Sequence, residues 1–194
     1  MEKLNTNINI ILGSQSPRRK ELLKLMGLDF KVEKININED FPTQFSATKA
    51  AIFLSKKKAN AYTIRKNDLL ICADTIVYSD KNIFGKPNTK KQAATMLQAI
   101  SNKRHFVVTG VTIKMINKEV SFHERSIVYF NKLSKQEITF YIENYNALDK
   151  AGGYGIQDWI GIIGIKKISG CYYNVMGLPT SLVYNQIIKM ATCL

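Results

Sequence analysis

Apolar and polar positions along this chain change period repeatedly, and the changes mark out an alternation of strands and helices. Ile8–Leu12 reads as an apolar strand. A small-residue turn follows, and then Pro17–Met26, where Leu22, Leu23 and Met26 form the inward stripe of a helix. Ser16 suits its N-cap, Pro17 its first position and Gly27 its stop. Phe30–Ile37 alternates and predicts a second strand. Ser46 or Thr48 opens a long helix that carries Ala50, Ala51, Leu54, Ala59 and Tyr62 toward Arg65. Leu69–Val77 reads as a buried strand, with Asp80-Lys81-Asn82 as a hairpin-type turn before Ile83-Phe84. Thr89 can cap a helix through Ile100, and Phe106–Ile116 and Val120–Phe130 predict two long strands. Ser134 with Glu137 fits a capping box ahead of Lys135–Asn144. Glycine-rich Gly152–Gly164 leads to strand-like Ile162–Ile168, and Pro179 opens a final helix to about Met190. The expected class is α/β, a mixed twisted sheet with flanking helices.

Bulk properties narrow the function. A chain of 194 residues fits one domain, or two lobes sharing a cleft, with a sizeable core. No segment has the run of about 18 apolar residues that spans a bilayer. Residues 1–7 lack the basic-then-apolar layout of a secretory signal. Cys72, Cys171 and Cys193 are odd in number, far apart and without metal-type spacing, so they read as reduced thiols of a cytoplasmic protein. The formal charge of +13 raises nucleic-acid binding as a rival. Its lysines, however, are scattered beside abundant asparagine and isoleucine, as drift toward AT-rich codons would leave them. RNP-type aromatics, Cys/His fingers and a helix-turn-helix pattern are missing from the sequence.

Several residues carry candidate chemistry. Arg18 and Arg19 begin a helix, against its dipole, and a bound phosphate would offset that cost; a solvated basic face is the ordinary alternative. Asp74 lies inside an apolar strand, where a carboxylate is expensive unless paired or metal-bound; otherwise it caps a loop at the strand end. A hairpin would bring Lys86 of Gly85-Lys86-Pro87 back toward Asp74. Asn38-Glu39-Asp40 closes the second strand, where Glu39 could help Asp74 hold Mg²⁺, or could simply be solvated. Of Lys56-Lys57-Lys58 only Lys58 is in register with Leu54 and Ala51 and can face inward. Gln157 ends a glycine-rich segment and offers a donor and an acceptor, as base recognition requires; a surface amide on a turn is the plain reading.

Together the segments are more specific than any one of them. Leu12-Gly13-Ser14-Gln15-Ser16-Pro17-Arg18-Arg19, Ala73-Asp74-Thr75, Gly85-Lys86-Pro87, Lys150-Ala151-Gly152-Gly153-Tyr154-Gly155-Ile156-Gln157 and Tyr173-Asn174-Val175-Met176-Gly177-Leu178-Pro179 follow one another in the order of one family. The chain closely resembles the Maf (septum formation) proteins, which are nucleoside triphosphate pyrophosphatases, over nearly its whole length. The resemblance implies a single domain over 1–194, with two lobes around a central cleft, related to inosine triphosphate pyrophosphatases. It implies hydrolysis between the α- and β-phosphates with a divalent cation, Mg²⁺ or Mn²⁺, held by Glu39 and Asp74. Asp74 takes the proton-acceptor position, and Ser14, Arg19, Glu39, Lys58 and Lys86 line the phosphate and metal site. Arg18, Thr75 and Gln157 match the dTTP/UTP-cleaving branch. Two positions depart: Asp158-Trp159 replaces the glycine that usually follows the glutamine, and Asn38 stands where the family often has an acid. The expected partner is a nucleoside triphosphate, with no membrane and no specific nucleic acid, and a homodimer is left open. The alternatives are a pyrophosphatase for 7-methyl-GTP or another modified nucleotide, and a non-catalytic nucleotide-sensing or RNA-binding regulator.

Overall fold

A computed structural model describes residues 8–80 and 82–191. Lys81 of the expected turn, Cys193 and the stretch before Ile8 lie outside the described residues. Among the described residues seven strands form a mixed sheet of order β2-β1-β3-β5-β6-β7, with β4 on β3. They are β1 (Asn9–Leu12), β2 (Lys31–Val32), β3 (Asp68–Tyr78), β4 (Ile83–Phe84), β5 (Arg104–Met115), β6 (Lys118–Phe130) and β7 (Ile165–Ser169). The α-helices are α1 (Pro17–Leu25), α2 (Ala47–Asn60), α3 (Lys90–Ile100), α4 (Lys135–Asn144), α5 (Trp159–Gly164), α6 (Tyr172–Met176) and α7 (Thr180–Ala191). Among the described residues no helix is long and apolar enough to cross a membrane. The chain divides into two compact units: one of Met1–Asp74, Thr109–Glu124 and Gly177–Leu194, the other of Thr75–Val108 and Arg125–Met176.

In the first unit β1 runs parallel to both β2 and β3, with Ile10, Ile11 and Leu12 beside Leu69, Leu70 and Ile71. All six side chains are buried, as a parallel strand covered on both faces requires. The expected strand over Phe30–Ile37 shortens to Lys31–Val32, because β1 offers partners only at Ile11 and Leu12. Ser46 caps α2 by accepting the Lys49 N–H. The helix ends at Asn60 instead of running toward Arg65: Asp68 accepts from the Tyr62 hydroxyl and the Arg65 N–H and draws that stretch into a turn. Alanines line the inward face of α2, and β5 beneath it carries Gly110. A Cβ on Gly110 would stand 2.4 Å from the carbonyl carbon of Ala51, so backbone lies on backbone there. That contact sets the depth at which α2 rests on β5.

In the second unit Val77 pairs with Phe84 and Tyr78 with Ile83. Thr89 caps α3 by accepting from Gln92, and the Ser134–Glu137 capping box forms as the spacing predicts. The apolar run expected to be strand-like from Ile162 is instead the helix α5, with β7 starting at Ile165. A short apolar run does not by itself distinguish the two. Gly161 decides it, because a Cβ there would stand 2.1 Å from the carbonyl oxygen of Ile156, a closeness only glycine permits. The short helix α6 carries no signal of its own in the hydrophobic pattern. In the core His105 is fully buried, its Nε2 lies 2.7 Å from the Tyr154 hydroxyl, and its ring meets that of Tyr154 edge-on. Burial pushes the imidazole down to about 4.

Gly110→Ala should cost about 1–3 kcal/mol through overpacking, read in urea melts, whereas Gly85→Ala, with nothing within 4 Å, should be silent. His105 gives the acid limb of stability a defined sign. Between pH 6.5 and about 4 the unfolded chain takes up a proton that the folded chain refuses, so stability falls as pH falls. His105→Asn should flatten that slope by up to roughly 3 kcal/mol over the window, measured as the difference between wild-type and variant melts at each pH. Equal slopes would contradict the burial argument.

Candidate active site

Of the predicted residues in the first unit, Ser14 and Arg19 meet beyond the end of β1, and Glu39 and Lys58 meet Asp74 within β3. Gly13 continues the strand, donating its N–H to the Ile71 carbonyl at 2.9 Å. A Cβ there would meet Cys72 Sγ and Ile35 Cδ1 at 2.6 Å, so the turn into α1 needs glycine. Burial holds the neighbouring Cys72 thiol up at about 12, which leaves it a neutral packing group. Ser16 occupies the N-cap position of α1, but its side chain caps nothing. Ser14 takes up the turn's bonds instead: its Oγ accepts from the Ser16 N–H at 3.3 Å and from Arg19 Nη1 at 3.2 Å.

Arg19 is the unexpected buried charge, 9% exposed. Its Nε donates to the Gly177 carbonyl at 2.8 Å, so acceptors on two of its nitrogens fix the guanidinium plane. Burial pulls its pKa below the ordinary arginine value, and the neighbouring Arg18 charge acts in the same direction, while Asp74, Cys72 and Glu39 oppose it. Those couplings place Arg19 in one electrostatic site with both carboxylates.

Lys58 forms the other half. It follows Leu54 by one turn on α2 and points inward, as its register predicts. Its Nζ lies 2.5 Å from Asp74 Oδ1 and 2.8 Å from Glu39 Oε1. The side chains of Lys58 and Asp74 are 11% and 13% exposed, that of Glu39 51%. Glu39 is aimed by its neighbours: Asn38 Oδ1 accepts the Asp40 N–H at 2.8 Å and closes a turn around it. An asparagine at 38 therefore has a structural task in this chain.

The ammonium of Lys58 tests whether a metal fits, since it shows both carboxylates converging on one cation. Two hard oxygen donors suit Mg²⁺ or Mn²⁺, which commonly take one or two carboxylates and complete their shell with phosphate and water. Among the described residues no group of three or more His, Cys, Asp or Glu side chains is placed to hold a metal ion.

Thr75, Lys86 and Gln157 belong to the second unit. Thr75 follows Asp74 on β3 and is half-buried. The β3–β4 register continues to a pairing of Thr75 with Lys86, but the ladder ends at Phe84 and Lys86 is exposed. Gln157 is half-buried, and its Oε1 is buried without a hydrogen-bond partner among the described residues. Two features were not read from the sequence. The Gly177 carbonyl carries no side-chain signal, although it stands in the motif Gly177-Leu178-Pro179. Tyr141 lies in a helix that reads as ordinary core, yet its hydroxyl binds Asp158 and Gly155.

The sequence matches the family described as Maf-like protein over residues 9–190. A dTTP/UTP pyrophosphatase of Cytophaga hutchinsonii is 46% identical over 185 residues, covering 95% of this chain and 85% of that one. One from Porphyromonas gingivalis is 46% identical and covers 92% of each. Among solved structures, a HAM1 protein from Coxiella burnetii aligns with a TM-score of 0.45 at 15% identity, over 66% of this chain and 75% of that one.

Lys58→Met strands two carboxylates, one of them largely buried, and should cost about 3 kcal/mol at pH 7. Glu39→Gln removes the half-exposed partner and should cost under about 1 kcal/mol. Chemical denaturation of both variants checks the contrast; equal losses would contradict it.

Proposed function

Because this chain belongs to the Maf-like family, we propose that it hydrolyses nucleoside triphosphates to the monophosphate and pyrophosphate, with dTTP and UTP favoured. The observation that carries the reading is the Lys58 ammonium held between Asp74 and Glu39 beside the buried guanidinium of Arg19. The free thiols Cys72 and Cys171 suit a reducing cytoplasm.

Attack of water on the α-phosphorus forms one P–O bond and breaks the bond to the bridging oxygen, which leaves with pyrophosphate. A triphosphate carries several negative charges, so the reaction needs cations around it and a base for the water's proton. Asp74 is that base, orienting the water and taking its proton as the bond forms. Arg19, oriented by Ser14 and Gly177, meets phosphate oxygens in a forked geometry, and Arg18 adds charge at the helix start. Lys58 passes from its carboxylate partners to the phosphates, and Lys86 is proposed as a further cation for them. A divalent cation, Mg²⁺ or Mn²⁺, on Glu39 and Asp74 would supply further neutralisation of phosphate charge.

Base selection falls to Gln157, with Thr75. Thymine and uracil present an N3–H beside a carbonyl, and one amide can satisfy both. The buried Gln157 Oε1 lacks a donor among the described residues, and the N3–H of these bases supplies one. Cytosine has no N3–H, so an amide that keeps Oε1 toward N3 meets an acceptor there, and CTP is disfavoured.

Asp74→Asn should lower kcat for dTTP by about 10²–10⁴ without loss of the fold. Gln157→Ala should erode base preference more than it slows phosphate chemistry. Pyrophosphate release from dTTP, UTP, CTP, GTP and 7-methyl-GTP measures both effects. Near-normal turnover in folded Asp74→Asn would remove the base assignment, and a lead for either guanine nucleotide would remove the pyrimidine preference.

A further inference from the structure

Asp158 stands at the N-cap of α5, yet its side chain makes no cap bond. Its carboxylate turns to two other groups: the Tyr141 hydroxyl donates to Oδ2 at 2.7 Å, and Lys150 Nζ lies 3.3 Å from the same oxygen. Tyr141 in turn accepts the Gly155 N–H at 3.1 Å. The Asp158 N–H donates to the Gly155 carbonyl at 3.1 Å and closes a four-residue turn. One phenol oxygen therefore ties both ends of the turn Gly155–Asp158.

The packing around the tie leaves no slack. A Cβ on Gly155 would stand 2.6 Å from Asp158 Oδ2, so the carboxylate reaches its partners only across a glycine. Lys150 is buried, with its ammonium shared among Asp158, Asp149 and the Asn146 carbonyl. The Lys150 ammonium beside the Asp158 carboxylate strengthens the carboxylate's bond to the phenol. Beyond the turn, the Trp159 ring packs edge-on against Phe140 at 4.7 Å between centroids. Gln157 sits within this clamp, between buried Ile156 and anchored Asp158. An amide free to rotate would offer either its oxygen or its nitrogen to a ring edge and would separate uracil poorly from cytosine. An amide on a fixed turn offers one of them.

We propose that Asp158 is a positioning residue for base selectivity: Lys150, Asp158 and Tyr141 lock the Gly155–Asp158 turn, so that Gln157 presents its amide to a pyrimidine imide in one orientation. The proposal rests on the reading of Gln157 as the group that selects dTTP and UTP. It gives the Asp158-Trp159 departure a role, because a glycine after Gln157 would have no carboxylate to tie the turn.

The test compares kcat and KM for UTP and CTP, with melting temperatures, in wild type, Tyr141→Phe, Asp158→Ala and Asp158→Asn. Tyr141→Phe unties both ends of the turn and Asp158→Ala one. Each should shrink the UTP-over-CTP ratio of kcat/KM about tenfold, through a higher KM for UTP, with kcat for UTP changed by less than about threefold. Asp158→Asn keeps an acceptor for the phenol and should restore most of the ratio relative to Asp158→Ala. A lower melting temperature with an unchanged ratio would mean a structural role only and overturn the proposal, as would an equal fall of kcat for both nucleotides. If Tyr141→Phe does not fold, the Asp158 pair, altered at a half-buried position, decides the matter alone. A wild-type enzyme without preference for UTP over CTP would overturn the underlying reading of Gln157. Preference in the wild type that persists in the folded variants would overturn this proposal alone.

Discussion

The ammonium of Lys58, placed between Asp74 and Glu39, is the contact on which the first unit's chemistry depends. Asp74 follows the apolar run Leu69–Ala73, and a carboxylate there is costly without a cation. Lys58 meets that need only because α2 lies deep enough against the sheet, and α2 lies deep because alanines face a glycine of β5. Small residues far from the chemistry thus fix where the charge falls. Glu39 shares the ammonium from a loop, held by the Asn38 turn, so the pair of carboxylates combines one rigid member with one more exposed.

Arg19 presents the complementary problem of a buried cation. Ser14 and Gly177 satisfy its donors from two distant parts of the sequence, and the negative charges of Asp74 and Glu39 offset part of its desolvation. Buried charges of both signs within one unit are what the proposed hydrolysis of a triphosphate calls for. An unliganded structural ion-pair network has less use for a guanidinium held by two neutral acceptors.

Much of this was legible in the sequence because the signals are local. Ser134 with Glu137, Thr89 before α3, and Lys58 in register with Leu54 are read from a few adjacent residues, and each is found as expected. The failures have non-local causes. Phe30–Ile37 alternates like a strand, but β2 is only as long as the partners β1 offers. Tyr62 and Arg65 continue a helical pattern, yet Asp68 bends them away. Ile160–Gly164 is helical because Gly161 fits closely against Ile156, a contact no periodicity reveals. Ser16 looks like a cap, while Ser14 collects the bonds, since Arg19 turns inward instead of out to solvent. The carboxylate of Asp158 stood out only as a departure from a family pattern, and its partners had to be seen in three dimensions.

The most direct measurement of the central claim follows the products formed from dTTP by phosphorus NMR in the presence of Mg²⁺. Cleavage next to the α-phosphorus predicts dTMP and pyrophosphate in equal amounts from the first turnovers, with no dTDP at any time. Accumulation of dTDP with orthophosphate, or unchanged dTTP, would contradict the account.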